Sequence, residues 1–587
     1  MSASQENSRE RLQQAIDAKI QSLEASDSES VRDLKLRRNA LSPISSLPPD
    51  VFAVIFFLLC FARDGGIITQ RDKHMRFYLS HVCHQWREMA LNQAVLWSEV
   101  DFSYLSLACT SEILARAKTV PLDLNARVPD WNTARFRAFH KQLQAHVPHA
   151  YQITINAELV RLREILGGFV SPAPTLKRLS LISRGGYRNE KTAGWESFIP
   201  DTLFDGFAPK LSYLFLFRLT ISWTSPLLKG LRHLEIHRPS LSPTLVHWLD
   251  GLDRLSQLET LILLSPAPIP PQDDVEHRGN ATLPSLTYFE IHGSPAECAL
   301  ALGHLDLPAL TALSIAVLPQ ASDSINDLQT LLPHIARHAY GPQDTRPLQS
   351  ILLRSEWNSA IIYAWSVTDI DVLVQESSYS TYSATNFTPR MALSFISIDR
   401  YAGDSDTTGR DILDAALLGL PLSNLDTLLV QEFKVPPEKS FWLRHVPKWP
   451  LIRRVQLEVP DHDAFKTILL DGNNEECPLL PLLTELVLRS NMGRGSIEDW
   501  IPALKKRKEQ GVPLKRLDMR MCSGWKDVPL LREIVADVSW GDSTPGLSIL
   551  TMRRWYNLTT TFFSQDDILE GQYTIYTDGS ENDEDDE

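Results

Sequence analysis

His334 and His338 stand four residues apart in a segment of helical pattern, a spacing that sets two imidazoles on one face as a metal pair requires. No third ligand of suitable type lies near them in the sequence, so the pair reads as two exposed helix histidines. His81, Cys83 and His84 gather a second set of metal-ligating types. Cys83, however, falls on the apolar face of an expected helix, and the set reads as packing. His233 and His237 flank an expected strand and require no chemistry. The sequence holds no nucleophile elbow, phosphate loop, dinucleotide fingerprint or zinc-protease helix. It therefore reads as a non-catalytic interaction protein, without cofactor or metal. The remaining candidates are binding features. Lys505-Lys-Arg-Lys508 is either an import signal or a set of cations at the end of a helix that Gly511 closes. Trp223, Trp357, Trp442 and Trp525 are either partner anchors or, in the reading taken, packing residues.

The elements that must carry these residues are set by a chain of 587 residues, too long for one ordinary core. A net charge of −14 argues against general nucleic-acid binding, and much of it sits in the tail from Asp578 to Glu587, which reads as a solvated end. Six scattered cysteines without a Cys-x-x-Cys pair suggest reduced thiols in a cytoplasmic or nuclear compartment. The polar, acidic N-terminus is no signal peptide. The apolar run Val51–Ala62 is far shorter than the about 20 residues a membrane span needs, so no membrane partner is expected. The sequons at Asn280, Asn386 and Asn557 then read as chance matches.

Residues 9–38 predict a polar helix with a narrow stripe of Leu12, Ile16, Ile20, Leu23, Val31 and Leu34. A turn at Ser42-Pro-Ile-Ser-Ser follows, and Leu47-Pro-Pro-Asp-Val51 opens a helix. Proline suits its first turn, and Asp50 meets the positive end of its dipole. Val51, Val54, Ile55, Leu58 and Leu59 share one face, and Phe52, Phe56 and Phe57 widen it beyond a single stripe. After a polar loop over Asp64–Arg76, a second amphipathic helix is expected from Phe77 to Leu91, with Leu79, Val82, Cys83, Trp86 and Ala90 on its apolar face. A short turn then delivers Leu96-Trp97.

Leu47-Pro-Pro-Asp-Val, Ile55-Phe56, Leu79-Ser-His-Val-Cys-His-Gln-Trp-Arg87 and Leu96-Trp97 together resemble an F-box, in the family's order. The resemblance covers residues 47–97 of 587, and with the polar helix ahead of it the chain is similar to the F-box proteins of mushroom-forming fungi. It departs in having Asp50 where glutamate is commoner, and in the long polar loop. The resemblance implies that Leu47, Pro48, Val51, Ile55, Phe56, Val82, Trp86, Leu96 and Trp97 form or support a surface for a Skp-type adaptor and, through it, a cullin. It further implies a substrate-recognition subunit of a ubiquitin ligase. The alternative is an interaction scaffold in which these helices only cap the next domain. A third reading, an enzyme hidden further along the chain, would need titratable residues converging in a deep pocket.

Beyond residue 100 the pattern apolar-x-x-apolar-x-apolar recurs, which sets alternate residues on the inner face of short strands. Instances start at Leu176, Leu211, Leu231, Leu258, Leu286, Leu310, Leu348, Leu425, Ile452, Leu483, Leu514 and Leu547. Nine of these twelve have proline one or two positions ahead: Pro174, Pro209, Pro284, Pro308, Pro347, Pro450, Pro481, Pro513 and Pro545. With 37 prolines in the chain, chance would place roughly one or two there. Helical stretches such as Asp411–Leu418 and Ile497–Lys508 lie between the strands. The array resembles leucine-rich repeats of irregular length, without the asparagine that usually follows the third apolar position, and with long gaps over 315–347 and 355–420. A β/α barrel would need eight strands, fewer than are present. The expected fold is α/β: an N-terminal helical F-box followed by an irregular leucine-rich-repeat-like solenoid, with parallel sheet on one side and helices and loops on the other. The expected domains are a polar helix (1–40), the F-box-like helices (41–100), the array (101–565), holding an unknown protein target, and an acidic tail (566–587).

Overall fold

A computed structural model describes residues 3–23, 28–61, 70–128, 133–184, 198–239, 244–264, 279–318, 325–340, 347–355, 359–368, 390–396, 409–431, 437–459, 462–471, 478–488, 500–519 and 528–539. The chain forms two compact units, Met1–Gly185 with Gly194–Arg232, and Gly186–Ala193 with His233–Glu587. The helices expected as a domain of their own over 41–100 thus share a unit with the first strands of the array. The acidic tail, Trp357, Trp525 and the motif at Leu547 lie outside the described residues.

The first unit opens with α1 (Ala3–Leu23) and α2 (Ser28–Ala40), two helices where the sequence suggested one; among their described side chains Ile20 and Val31 are buried. Next come α3 (Pro49–Phe61), α4 (Gln70–Leu79), α5 (His84–Asn92) and a 3-10 turn, Ala94–Trp97. The second F-box-like helix, expected to run unbroken, is split after Leu79. Ser80 turns back to the Phe77 carbonyl, and Cys83 caps α5 by accepting from the Trp86 amide at 3.5 Å. Cys83 is therefore a cap and not a member of an apolar helix face. The polar stretch expected as loop is helical from Gln70 onward, because Arg76 turns inward to serve backbone carbonyls. There follow β1 (Glu99–Asp101), α6 (Leu107–Ala117), β2 (Leu122–Val128), α7 (Thr133–His146), β3 (Ala150–Glu158), α8 (Leu159–Gly167), β4 (Arg178–Arg184) and β5 (Tyr213–Phe217). These five strands pair in chain order, all parallel.

The second unit repeats strand, loop and helix through β6 (His233–His237), α9 (Leu245–Asp253), β7 (Thr260–Leu264), β8 (Ala281–Thr282), β9 (Tyr288–Gly293), α10 (Pro295–Gly303), β10 (Leu305–Asp306), β11 (Ala312–Val317) and α11 (Ile325–Tyr340). It continues with β12 (Ser350–Ser355), β13 (Ser359–Trp365), β14 (Met391–Ile396), α12 (Gly409–Gly419), β15 (Thr427–Gln431), α13 (Lys439–His445), β16 (Arg454–Glu458) and α14 (Asp463–Asp471). It ends with β17 (Glu485–Leu488), α15 (Ile501–Glu509), β18 (Arg516–Asp518), α16 (Val528–Ile534) and β19 (Asp537–Ser539). The strands stand in the order β6-β7-β9-β11-β14-β13-β12-β15-β16-β17-β18-β19. All pairs are parallel except those of β13, which runs against β12 and β14. β8 and β10 form a separate parallel pair. Among the described residues β19 pairs with β18 and not back onto β6, so this row is open and no barrel closes.

Of the eleven apolar triplets within the described residues, ten end on a strand and the one from Leu514 ends at Met519, just past β18; each strand starts two residues after its triplet does, as in Leu211 before Tyr213 and Leu483 before Glu485. The three apolar side chains point inward and are buried in every case, from Leu176, Leu179 and Leu181 to Leu514, Leu517 and Met519. The prolines have a local cause. The first leucine donates its amide to the carbonyl three residues back, as Leu211 does to Ala208 at 3.0 Å and Leu483 to Leu480 at 3.1 Å, closing a four-residue turn. Pro174, Pro209, Pro284, Pro308, Pro450 and Pro481 each fill the second position of such a turn, where a fixed φ is an advantage and no amide is needed. The array is therefore α/β and leucine-rich-repeat-like in its alternation, as expected. The gap over 355–420 holds the reversed strand β13 and its neighbour β14. Their inward residues are Ala360, Ile362 and Ala364, and Met391, Leu393 and Phe395, a plain two-residue alternation that a search for leucine triplets passes over.

Candidate functional site

The F-box-like helices build a small core with one face left open. Phe52 and Phe56 are one turn apart on α3 and fully buried. Their rings meet Trp86 of α5 at 5.8 and 5.2 Å between centroids. Gln93 fixes the 3-10 turn to α3 by donating to the Ala53 carbonyl at 3.1 Å, and Trp97 donates its indole N–H to Ala90 at 2.9 Å. Arg76 completes the floor. Its guanidinium donates to the Glu99 carbonyl at 2.6 Å and lies against the rings of Phe77 and Trp97. Burial pulls its pKa below the usual arginine range, with the nearby Glu99 carboxylate opposing.

Two aromatic residues satisfy the inner face of α3, so its aliphatic stripe faces out. Val51, Val54 and Leu58 are 41, 59 and 52% exposed, and Phe57 and Leu59 lie open beside them. Of the nine residues assigned to an adaptor surface, Pro48, Val51 and Val82 are exposed, while Leu47, Ile55 and Trp86 are half-buried. Phe56, Leu96 and Trp97 are buried and close the private core, so of the two roles allowed for the nine, forming or supporting the surface, theirs is support from beneath. Val54 and Leu58, on the same helical face as Val51, were not assigned to that surface and are its most exposed aliphatic members on α3. The helical spacing alone carried that signal; it could not say which of two apolar faces turned inward.

The outward face of the second unit's strands carries a different set of groups. On β6, His233 and His237 both reach the carboxylate of Glu235, at 3.3 and 2.6 Å. On β9, Tyr288 donates its hydroxyl to Glu290 at 2.7 Å, and His292 meets the same carboxylate at 3.0 Å. Residues i and i+2 of a strand share a face, which is why each set falls within one strand. Burial would raise both carboxyls, but the histidine hydrogen bonds and charges prevail, bringing Glu235 down to about 2 and Glu290 below the usual carboxylate range. His233 and His237 were read as needing no explanation; they hold a buried carboxylate.

The other sequence candidates resolve into structure. His338 is buried and bonds the Leu302 carbonyl at 2.9 Å, so it is not the exposed helix histidine expected; burial lowers its pKa and that of half-buried His334. Among the described residues no three His, Cys, Asp or Glu side chains gather as metal ligands. In the basic run, Arg507 is buried and donates to the carbonyls of Leu479, Leu480 and Leu483 at 2.8, 3.0 and 3.4 Å, with burial bringing its pKa down to about 10. Lys506 and Lys508 donate to the carbonyls of Leu470 and Glu533. Of the two readings, the helix-end one is built. Trp223 and Trp442 are packed inside. The half-buried Cys60 thiol is pushed up to about 11 by burial, far from a nucleophile's range. Among the described residues, no helix is long and apolar enough to cross a membrane.

No protein-family model and no curated protein matches the chain. Several solved structures are similar at low identity, two of them as follows. A TLR13–ssRNA13 complex aligns at 13% identity and a TM-score of 0.31 over 72% of this chain, which spans about half the length of that one, 52%. The leucine-rich repeat-containing protein LegL7 from Legionella pneumophila aligns at 10% identity and a TM-score of 0.24, over 70% of this chain and 97% of its own. The fold described above rests on strand pairing and does not draw on these likenesses.

Proposed function

We propose that this chain is the substrate-recognition subunit of a Skp–cullin–F-box type ubiquitin ligase, acting in the cytoplasm or nucleus. The α3 surface docks the Skp-type adaptor, and the repeat array holds a protein target. The chain itself performs no chemistry. It raises the local concentration of target lysines near a conjugating enzyme carried by other subunits, which is catalysis by proximity. The observation that carries this reading is the aliphatic stripe of Val51, Val54 and Leu58, exposed on a helix whose aromatic residues already satisfy its own core. Covering such side chains supplies about 25 cal/mol per Å² before the costs of association. The departures in the motif leave this stripe intact, since Asp50 keeps its place in the first turn of α3.

Adaptor capture with the full chain tests the proposal. Wild type should co-purify with a Skp-type adaptor, and the Val54→Asp, Leu58→Asp double variant should not. Both changes lie on the solvent side, so the fold should survive them. Absence of the adaptor from wild type, or equal capture by both, would leave the second reading: a scaffold whose helices only cap the array. One observation favours that alternative. Arg76 ties α4 to the backbone at Glu99, the first residue of β1, so the helical core and the first strand are one structure.

A further inference from the structure

Four serines within the described residues precede a proline: Ser42, Ser171, Ser225 and Ser294. Two of them are closed to any enzyme. Ser225 is buried, and Ser294 is buried as the cap of α10, accepting from the Glu297 amide at 3.3 Å. Ser171 is exposed, but no lysine or arginine stands in the seven positions before it. Ser42 differs from all three. It lies in the short joint between α2 and α3, with Arg37 and Arg38 five and four positions ahead, both exposed in the last turn of α2.

The joint leaves the Ser42 hydroxyl unengaged. Ser45 and Ser46 donate theirs to the carbonyls of Asn39 and Pro43, at 2.7 and 2.6 Å. Ser42 is half-buried, yet among the described residues its hydroxyl has no such partner, and Pro43 and Ile44 beside it are exposed. Its backbone is extended, at φ −65° and ψ 138°, the state that a following proline favours. The arginines matter twice. Charge patterns around an acceptor serine are part of how kinases select substrates. Arg38 also ties α2 to α1, with its Nε 2.6 Å from the Asp17 carboxylate and both side chains nearly half exposed. That tie has little beside it, since only Ile20 and Val31 are buried among the described side chains of the two helices. The winding of α2 carries on to Ser42, whose amide donates to the Asn39 carbonyl at 3.1 Å, so Ser42 follows Arg38 by about one turn.

We propose that Ser42 is a phosphorylation site for a proline-directed serine/threonine kinase, and that its phosphate draws Arg38 from Asp17 and frees α1 from α2. Ser42 Oγ attacks the γ-phosphorus of ATP, the bond to the β–γ bridging oxygen breaks, ADP leaves, and the hydroxyl proton passes to the kinase's base. The phosphate carries close to two negative charges against the one of Asp17, and a guanidinium can pair with it through two parallel hydrogen bonds. The site goes beyond the adaptor reading and stands whether or not α3 docks one.

The purified full chain, incubated with a recombinant proline-directed kinase and Mg-ATP and followed by phosphopeptide mass spectrometry, tests the site. Ser42 should be modified about tenfold faster than Ser171, and Pro43→Ala should slow it by about tenfold. The Arg37→Ala, Arg38→Ala double variant should remove the lead over Ser171. Amide exchange across α1 reads the consequence and should quicken about threefold on phosphorylation, in line with the loss of one exposed ion pair. Asp17→Asn should quicken it as much without kinase and leave the phosphate nothing to add, whereas Ser42→Ala treated alike should not change. Ser42 left unmodified, a rate no faster than at Ser171, or modification with α1 exchange unchanged overturns the proposal. Adaptor capture by the same preparations reads the proposed function separately.

Discussion

Helix α3 and the strands of the array draw on much the same apolar residues and dispose of them in opposite ways. On the strands, every triplet within the described residues is sealed, leucine after leucine. On α3 only Phe52 and Phe56 are fully buried, while Val51, Val54, Phe57, Leu58 and Leu59 are exposed. The difference lies in the neighbours. A parallel strand has another strand on each side and helices over one face, so its inward positions are covered whatever follows. The 13-residue helix α3 has only α4, α5 and one turn to lean on, and these cover one stripe. An apolar surface beyond what the private core absorbs is where a second polypeptide gains most.

The largest test of that contrast lies within one helix. Phe56→Ala should cost about 4 kcal/mol by opening a cavity, whereas Val54→Ala should fall within about 0.5 kcal/mol. Amide exchange across α3 to α5 reads both, and similar losses would mean that the outer stripe is covered after all. In the array the contrast extends to charge. Arg507→Leu should lose about 3 kcal/mol, because three turn carbonyls lose a charged donor inside the protein. Lys505→Ala, on the exposed side of α15, should lose almost nothing in the same urea titration.

Glu235 gives a pH signature. Its carboxyl titrates near 2 in the folded protein against an ordinary 4.5, so the stabilisation is present above about pH 4.5 and fades as pH falls towards 2. The gap in urea midpoint between wild type and Glu235→Gln should correspond to about 3 kcal/mol at pH 6 and nearly close by pH 2. A pH-independent gap would show that the histidines do not hold it ionised. The smallest effect is local. Pro209→Ala should lose only about 0.5 kcal/mol, through the freedom gained by the unfolded chain. A loss as large as that at Arg507 would show the turn to be under tertiary load.

Much of this was legible. The triplets located eleven strands, and the prolines ahead of them marked the turns, because both depend on contacts within a few residues. The reversed strand β13 was not, since its inward residues are two alanines and an isoleucine, which carry no triplet. The buried carboxylates were missed for a related reason. His233, Glu235 and His237 read as an unremarkable polar strand until register sets β6 beside β7, with β9 one strand further on. The basic run was misleading because a buried arginine and an exposed lysine look alike in a sequence.

By itself the sequence determined the alternation of strands, the turns that launch them and the apolar excess of α3, since periodicity, proline geometry and composition act over short range. Only the tertiary structure decided which face of α3 turned inward, which cations were buried and which groups met across the sheet. Those outcomes depend on which distant segment packs against each face and excludes water from it, and no local pattern records that.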